Sequence, residues 1–224
     1  MEKYFGVLRK CPLFQQIADK DILAMLSCLG ARLVPFHKKE TIIAEGEPAK
    51  YIGIVLTGAA QIIRVDFFGN RSIVADIEPS ELFGESFACA DVKSIPINVI
   101  AVEDTQVMLM DCLRITHSCS NSCGFHQQMI YNLMRVMATK NLAFHQKIEI
   151  TSKRTTREKL MAYLLLQAKK NGSASFEIPY NRQELADYLE VERSGLSVEI
   201  GKLCRQGLIK TDKKKFKILK SIES

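Results

Sequence analysis

One stretch, Asn181 to Ile209 (NRQELADYLEVERSGLSVEIGKLCRQGLI), narrows the folds open to this 224-residue chain more than any other. Leu185, Ala186 and Leu189 recur at helical spacing, with Arg182, Gln183, Glu184 and Asp187 at the other positions. Glu190, Val191 and Glu192 break that helix. A second starts near Arg193 and carries Leu196, Ile200 and Leu203 on one stripe. Gly207 ends it, where a positive φ costs glycine little. The pattern is that of a helix-turn-helix, whose second helix enters the DNA major groove with its first residues facing base edges. Here those residues are Arg193, Ser194, Gly195, Ser197 and Val198. Arginine forks onto guanine, and serine bonds bases or phosphates. An ordinary helical hairpin is the competing reading. Against it stands LIKTDKKKFKIL, a lysine-rich turn followed by alternating Phe216 and Ile218, which reads as the wing of a winged helix. Arg182, Gln183, Lys202 and Lys213 complete the expected DNA-contacting set.

Charge is placed to match. Residues 151–224 hold 16 Lys or Arg against 9 Asp or Glu, whereas residues 1–150 hold 15 against 16, within a net charge of +6. The basic part is therefore the part that would meet phosphates. A solvated lysine-rich tail is the plainer account of residues 213–215, and their coincidence with the wing weighs against it.

A chain that is 47% hydrophobic and 25% charged can build a sizeable core. No apolar run approaches the ~20 residues of a membrane helix, and MEKYFGVLRKCPLF lacks the apolar centre of a signal peptide. A cytoplasmic protein with no membrane partner is expected. Seven cysteines, an odd number without framework spacing, suit a reducing compartment. Only Cys119 and Cys123 are close in sequence, in HSCSNSCGFH between His117 and His126. A metal or redox role competes there with the commoner behaviour of cysteine as a small hydrophobe. No metal site and no cofactor are predicted.

Residues 1–30 read as helical, with Ile17, Ile22, Leu23, Leu26 and Leu29 apolar and Gly30 as the stop. From Arg32 to Asp111 the period becomes that of strands: RLVPF, ETIIAEG, YIGIVLTG, AAQIIRVDF, RSIVADI, INVIAVE and TQVMLMD, divided by turn residues. FFGNR, Phe67 to Arg71, is the clearest hairpin. Short strands with glycine punctuation imply a sandwich or jelly roll. From about Ser122 to Ile150 the helical period returns through Met129, Leu133, Val136 or Met137, Lys140, Phe144 and Ile148. A helix of ~28 residues spans ~42 Å, more than a small sandwich covers. The remaining apolar stripe calls for a second copy in a parallel coiled coil. The expected fold is α+β, in three parts: a jelly roll over 1–118, a long dimerisation helix over 119–150 and a winged helix-turn-helix over 151–224.

In this order the chain resembles the CRP/FNR family of bacterial transcription regulators. The likeness rests on IIAEGEPAKYIGIVLTGAAQI, Gly69, LFGES with Gly84 and Glu85, and IPYNRQELADYLEVERSGLSVEIGKLCRQGLI. It implies a homodimer on a palindromic double-stranded DNA site, acting on RNA polymerase under the control of a small effector. Glu85, Ser86, Ile95, Pro96, Met137, Asn141 and Phe144 are the pocket residues it implies. Relatives that bind cyclic AMP carry Arg-Ser where this chain has Ile95-Pro96. A cyclic phosphate buried there would lose its partner and keep its desolvation cost, so an effector other than cyclic AMP is expected. Relatives also carry arginine where Val198 stands, which implies a different DNA site. The N-terminal cysteine cluster of iron–sulfur relatives is missing. His37, His117, His126 and His145 form no recognisable pair, and an interface role suits His145 better than an effector contact.

No Ser/His/Asp arrangement, HExxH or phosphate loop is present, so an enzyme is not expected. The alternative class is a ligand-sensing module that regulates a protein partner through its winged helix.

Overall fold

The computed structural model describes residues 2–116 and 124–219. They fall into two compact units, 1–70 with 74–141 and 71–73 with 142–224. Cys119, Cys123 and His117 lie outside the described residues.

The first unit opens with helical pieces rather than one continuous helix. Helix α1 (Phe5–Leu8) and α2 (Asp19–Cys28) are separated by a 3-10 turn at Pro12–Phe14. Pro12 has no amide hydrogen to continue a ladder, and Gln16 takes a φ of +62°. Eight strands follow: β1 (Arg32–Phe36), β2 (Thr41–Ile43), β3 (Tyr51–Thr57), β4 (Ala60–Val65), β5 (Arg71–Ile77), β6 (Leu82–Phe83), β7 (Asn98–Ala101) and β8 (Thr105–Asp111). They form two four-stranded sheets, ordered β1-β8-β3-β6 and β2-β7-β4-β5. Strands β3 and β8 pair antiparallel, with Ile54 opposite Met108. The jelly-roll expectation holds, with β6 an addition to the seven strand segments read from the sequence.

Strand β3 is buried from Ile52 through Leu56 instead of alternating. Both faces of this central strand are therefore covered, which a continuous apolar run permits. Gly53 fits the same crowding: a Cβ there would lie 2.1 Å from the Phe83 ring.

Two short helices, α3 (Glu85–Cys89) and α4 (Cys112–Thr116), precede the long α5 (Gly124–Thr151) of 28 residues. Met129, Leu133 and Val136 of α5 join the barrel core. Buried Asn132 fastens the helix to the N-terminal segment, donating to the carbonyls of Leu13 (3.0 Å) and Gln15 (2.7 Å). The stripe expected from the sequence divides here. Its first half is core, whereas Phe144 and Ile148 are exposed.

In the second unit α6 (Thr156–Asn171) begins with a capping box between Thr155 and Glu158. Then come β9 (Ser175–Glu177), α7 (Arg182–Leu189), α8 (Arg193–Arg205), β10 (Ile209–Asp212) and β11 (Lys215–Ile218). The three strands form one sheet in the order β10-β11-β9. Leu160, Leu164, Leu185, Leu189, Leu196 and Leu203 are fully buried, so the periodicity of all three helices points into one core. Tyr188 closes one side of it, stacked on Tyr180 with ring centroids 5.0 Å apart.

Candidate nucleic-acid interface and sensory site

Helix α7 starts on Asn181, whose side-chain oxygen accepts from the amides of Gln183 (2.9 Å) and Glu184 (3.0 Å). The Glu184 carboxylate returns to the Asn181 amide at 2.7 Å. Such a box satisfies amides that a helix start otherwise leaves open. The helix ends on Glu190 at φ +54°, a left-handed cap, and α8 leaves at once from Glu192. This abrupt turn presents the start of α8 to solvent.

Arg193, Ser194, Ser197 and Val198 are exposed there, while Leu196, Ile200 and Leu203 face inward. Among the described residues the Arg193 guanidinium makes no hydrogen bond or ion pair. Ser197 donates to the Arg193 carbonyl at 2.9 Å, leaving its oxygen lone pairs outward. Val198 is 55% exposed, so an apolar side chain stands on the outer face. Gly195 is half-buried, and nothing crowds the place of its missing Cβ closer than the Glu192 Cβ at 4.0 Å. Lys202 is exposed and pairs with Glu199 at 2.6 Å, a surface contact of small energetic weight. Lys213 occupies the wing turn at φ +51°.

Arg182 and Gln183 behave differently from the rest of the expected set. Arg182 donates to the Thr211 hydroxyl at 3.0 Å and lies over the Phe216 ring, 5.1 Å from its centroid. Burial pulls its pKa below the usual arginine value. It fastens α7 to the wing. Gln183 is exposed but donates to Asp187 at 2.7 Å.

The sensory site centres on α3. Gly84 precedes it at φ +79°, and a Cβ there would meet the Tyr51 carbonyl at 3.0 Å. Only glycine enters that turn cheaply, and the turn delivers Glu85 into the unit with its side chain 4% exposed. Glu85 Oε1 pairs with Lys140 Nζ of α5 at 3.0 Å. The same ammonium donates to the Leu82 carbonyl. Glu85 Oε2 is buried and has no hydrogen-bond partner among the described residues. Lys140 was read from the sequence only as one position of an apolar stripe. A lysine interrupting that stripe was the available signal.

The other expected pocket residues are scattered in character. Ile95 is buried, Met137 is half-buried against the barrel core, and Ser86, Pro96, Asn141 and Phe144 are exposed. The Ser86 hydroxyl donates to Glu85 Oε1 at 3.4 Å. His126 is buried, its Nε2 hydrogen-bonded to the Ile115 carbonyl at 2.8 Å. His145 is exposed on α5.

Comparison with known proteins resolves the family. The Cyclic nucleotide-binding domain profile matches residues 33–114, and the Crp-like helix-turn-helix domain profile matches residues 158–221. The chain belongs to the CRP/FNR family. The Transcriptional activator protein FnrA of Stutzerimonas stutzeri is 26% identical over 216 residues, 94% of this chain and 85% of that one. The Cyclic AMP receptor protein of Thermus thermophilus is 24% identical over 207 residues, covering 91% and 90%. Among solved structures, the c-di-GMP-responsive global regulator CLP of Xanthomonas campestris superposes with a TM-score of 0.74 at 14% identity, over 91% of this chain and all of that one. FixK2 of Bradyrhizobium japonicum gives 0.64 at 22%, over 87% and 99%. These two likenesses concern the fold. As a CRP/FNR protein the chain is a DNA-binding transcription regulator and not an enzyme.

Proposed function

We propose that the protein is a homodimeric, sequence-specific regulator that places α8 in the major groove of a palindromic site and answers to an effector other than cyclic AMP. The observation that carries the DNA reading is the start of α8, where Arg193 stands exposed with no partner among the described residues. A guanidinium in that state keeps its five donors for bases and phosphates.

Dimerisation is supported by the outer face of α5. Tyr131, Met134, Ala138, Asn141, His145 and Ile148 are all exposed and alternate at three- and four-residue steps. That spacing is a heptad seam, and a polar Asn within it is a known determinant of register. The face opposite packs on the barrel through Met129, Leu133 and Val136. One helix thus carries a covered stripe and a complementary uncovered one.

The exclusion of cyclic AMP is supported by two features. Ile95 and Pro96 offer the phosphate no cation, and the Lys140 ammonium beside Glu85 is already paired with it. The relatives named above are described as responding to cyclic AMP in one case and c-di-GMP in another. An effector entering this unit would meet Glu85 Oε2 and should therefore bring a hydrogen-bond donor. Cytoplasmic location and action through RNA polymerase belong to the same proposal. Among the described residues no helix is long and apolar enough to cross a membrane.

The test is capture of genomic DNA by the purified protein, with and without small-molecule extract, followed by salt titration on an enriched fragment. An enriched palindrome whose affinity falls steeply with salt is expected. No enrichment under either condition would overturn the reading and favour a protein partner.

A further inference from the structure

Cys89, the last residue of α3, and Cys112, the first residue of α4, place their sulfurs 3.7 Å apart. Neither thiol has a part in the DNA interface, and neither was singled out by sequence spacing, since 23 positions separate them. A disulfide bond is about 2 Å long, so the two sulfurs need to close by less than the width of one atom. We propose that Cys89 and Cys112 are a redox-active dithiol, oxidised to an intramolecular disulfide by hydrogen peroxide or a related hydroperoxide.

The two members are differentiated as a reactive and a resolving thiol should be. Cys89 is half-buried, so an oxidant reaches it, whereas Cys112 is buried. The hydrogen bond shared with the Cys112 sulfur holds the Cys89 thiol below the usual cysteine range. The same shared bond, and then burial, push the Cys112 thiol up. The more exposed Cys89 is therefore the member placed to meet the oxidant, and the thiolate is the nucleophile in such chemistry.

Atoms and electrons balance in two steps. The Cys89 thiolate attacks one peroxide oxygen, the O–O bond breaks, and hydroxide leaves as water after taking a proton, giving a sulfenic acid. Cys112 sulfur then attacks Cys89 sulfur. The S–O bond breaks, the S–S bond forms, and the departing hydroxide takes the Cys112 proton as a second water. Two thiols lose two electrons in all, and one peroxide gains them.

Backbone anchoring favours closure between these partners over others. The Cys112 amide donates to the Lys50 carbonyl at 3.0 Å, and the Ala90 amide after Cys89 donates to the Ser86 carbonyl at 3.3 Å. Both Cα positions are thus held by hydrogen-bonded backbone. Because Glu85 begins the helix that Cys89 ends, the bond would join the sensory site to α4 directly.

The experiment uses the full-length reduced protein, treated with hydrogen peroxide, alkylated after denaturation and digested with trypsin. Cleavage after Arg71, Lys93 and Arg114 puts the two cysteines on separate peptides, residues 72–93 and 94–114. A single cross-linked species joining them is expected, reversed by dithiothreitol. Cys89 should be consumed ~10-fold faster than Cys28, which is exposed but has no neighbouring thiol among the described residues. Cys112→Ser should stop at a Cys89 sulfenic acid that a 1,3-diketone traps, and Cys89→Ser should leave Cys112 unmodified. Both variants change one atom in a place of contact, and circular dichroism checks their folding. The proposal is overturned if Cys89 and Cys112 stay separately alkylatable, if Cys89 links elsewhere, or if Cys28 reacts as fast.

Discussion

Lys140 and Glu85 form a pair whose two halves are unequal. The carboxylate is almost wholly enclosed, while the lysine side chain retains 29% exposure. Replacing the lysine alone strands a buried charge, and losing one partner of such a pair is costly. Lys140→Met should destabilise the protein by about 3 kcal/mol in urea unfolding, with much of the loss recovered in the Glu85→Gln/Lys140→Met double variant. A double variant no more stable than Lys140→Met would show that the ammonium matters for something besides Glu85. On the DNA side, Arg193→Ala should weaken specific binding by ~1–3 kcal/mol and barely alter non-specific binding. Equal losses in gel-shift assays on cognate and random DNA would instead make Arg193 a phosphate contact. Legibility differed between these two residues for a physical reason. Arg193 sits where a local pattern fixes its place, four residues after a helix ends. Lys140 meets its partner across 55 positions of sequence, and long-range pairing leaves no mark on local periodicity. Arg182 shows the reverse problem: its charge suggested DNA, but the ring of Phe216 beneath it could be known only once the wing was folded back.

Helix α5 was easy to find as an element and harder to read as two faces. Its three-to-four spacing is dense enough that more than one stripe fits it, and burial alone separates the stripe on the barrel from the one outside. The outer residues Met134 (56% exposed) and Ile148 (61%) are the apolar members to test. Met134→Lys with Ile148→Lys should convert a dimer to a monomer in sedimentation analysis while leaving far-ultraviolet circular dichroism close to that of the parent, since neither residue belongs to a core. A dimer that survives the change would move the interface to another surface. The strands were legible because β-branched runs and turn glycines mark them. Strand β6 and helix α3 were not, being too short to show a period: two and five residues. The LFGES resemblance marked that stretch without assigning an element to it. The N-terminal stretch was legible as helical, and Pro12 and Gln16 are where its backbone divides into pieces.

At the scale of the whole molecule, the described residues fall into two units, one holding the barrel and the other the winged helix. Cyclic AMP should leave the thermal midpoint unmoved, because binding to the native state alone raises it by mass action and Ile95-Pro96 supplies no anion partner. A clear upward shift in differential scanning fluorimetry would overturn that argument. The proposed seam on α5 has a genetic consequence as well. Interfaces built from one self-matching surface do not distinguish a sound copy from a damaged one. A cell making both the parent chain and an Arg193→Ala chain should therefore assemble mixed pairs, and repression or activation of a reporter should fail although a good allele is present. Adding the two lysines to the seam of the damaged chain should restore the reporter. Dominance would then be a property of one helix face, and a single plasmid would suffice to see it.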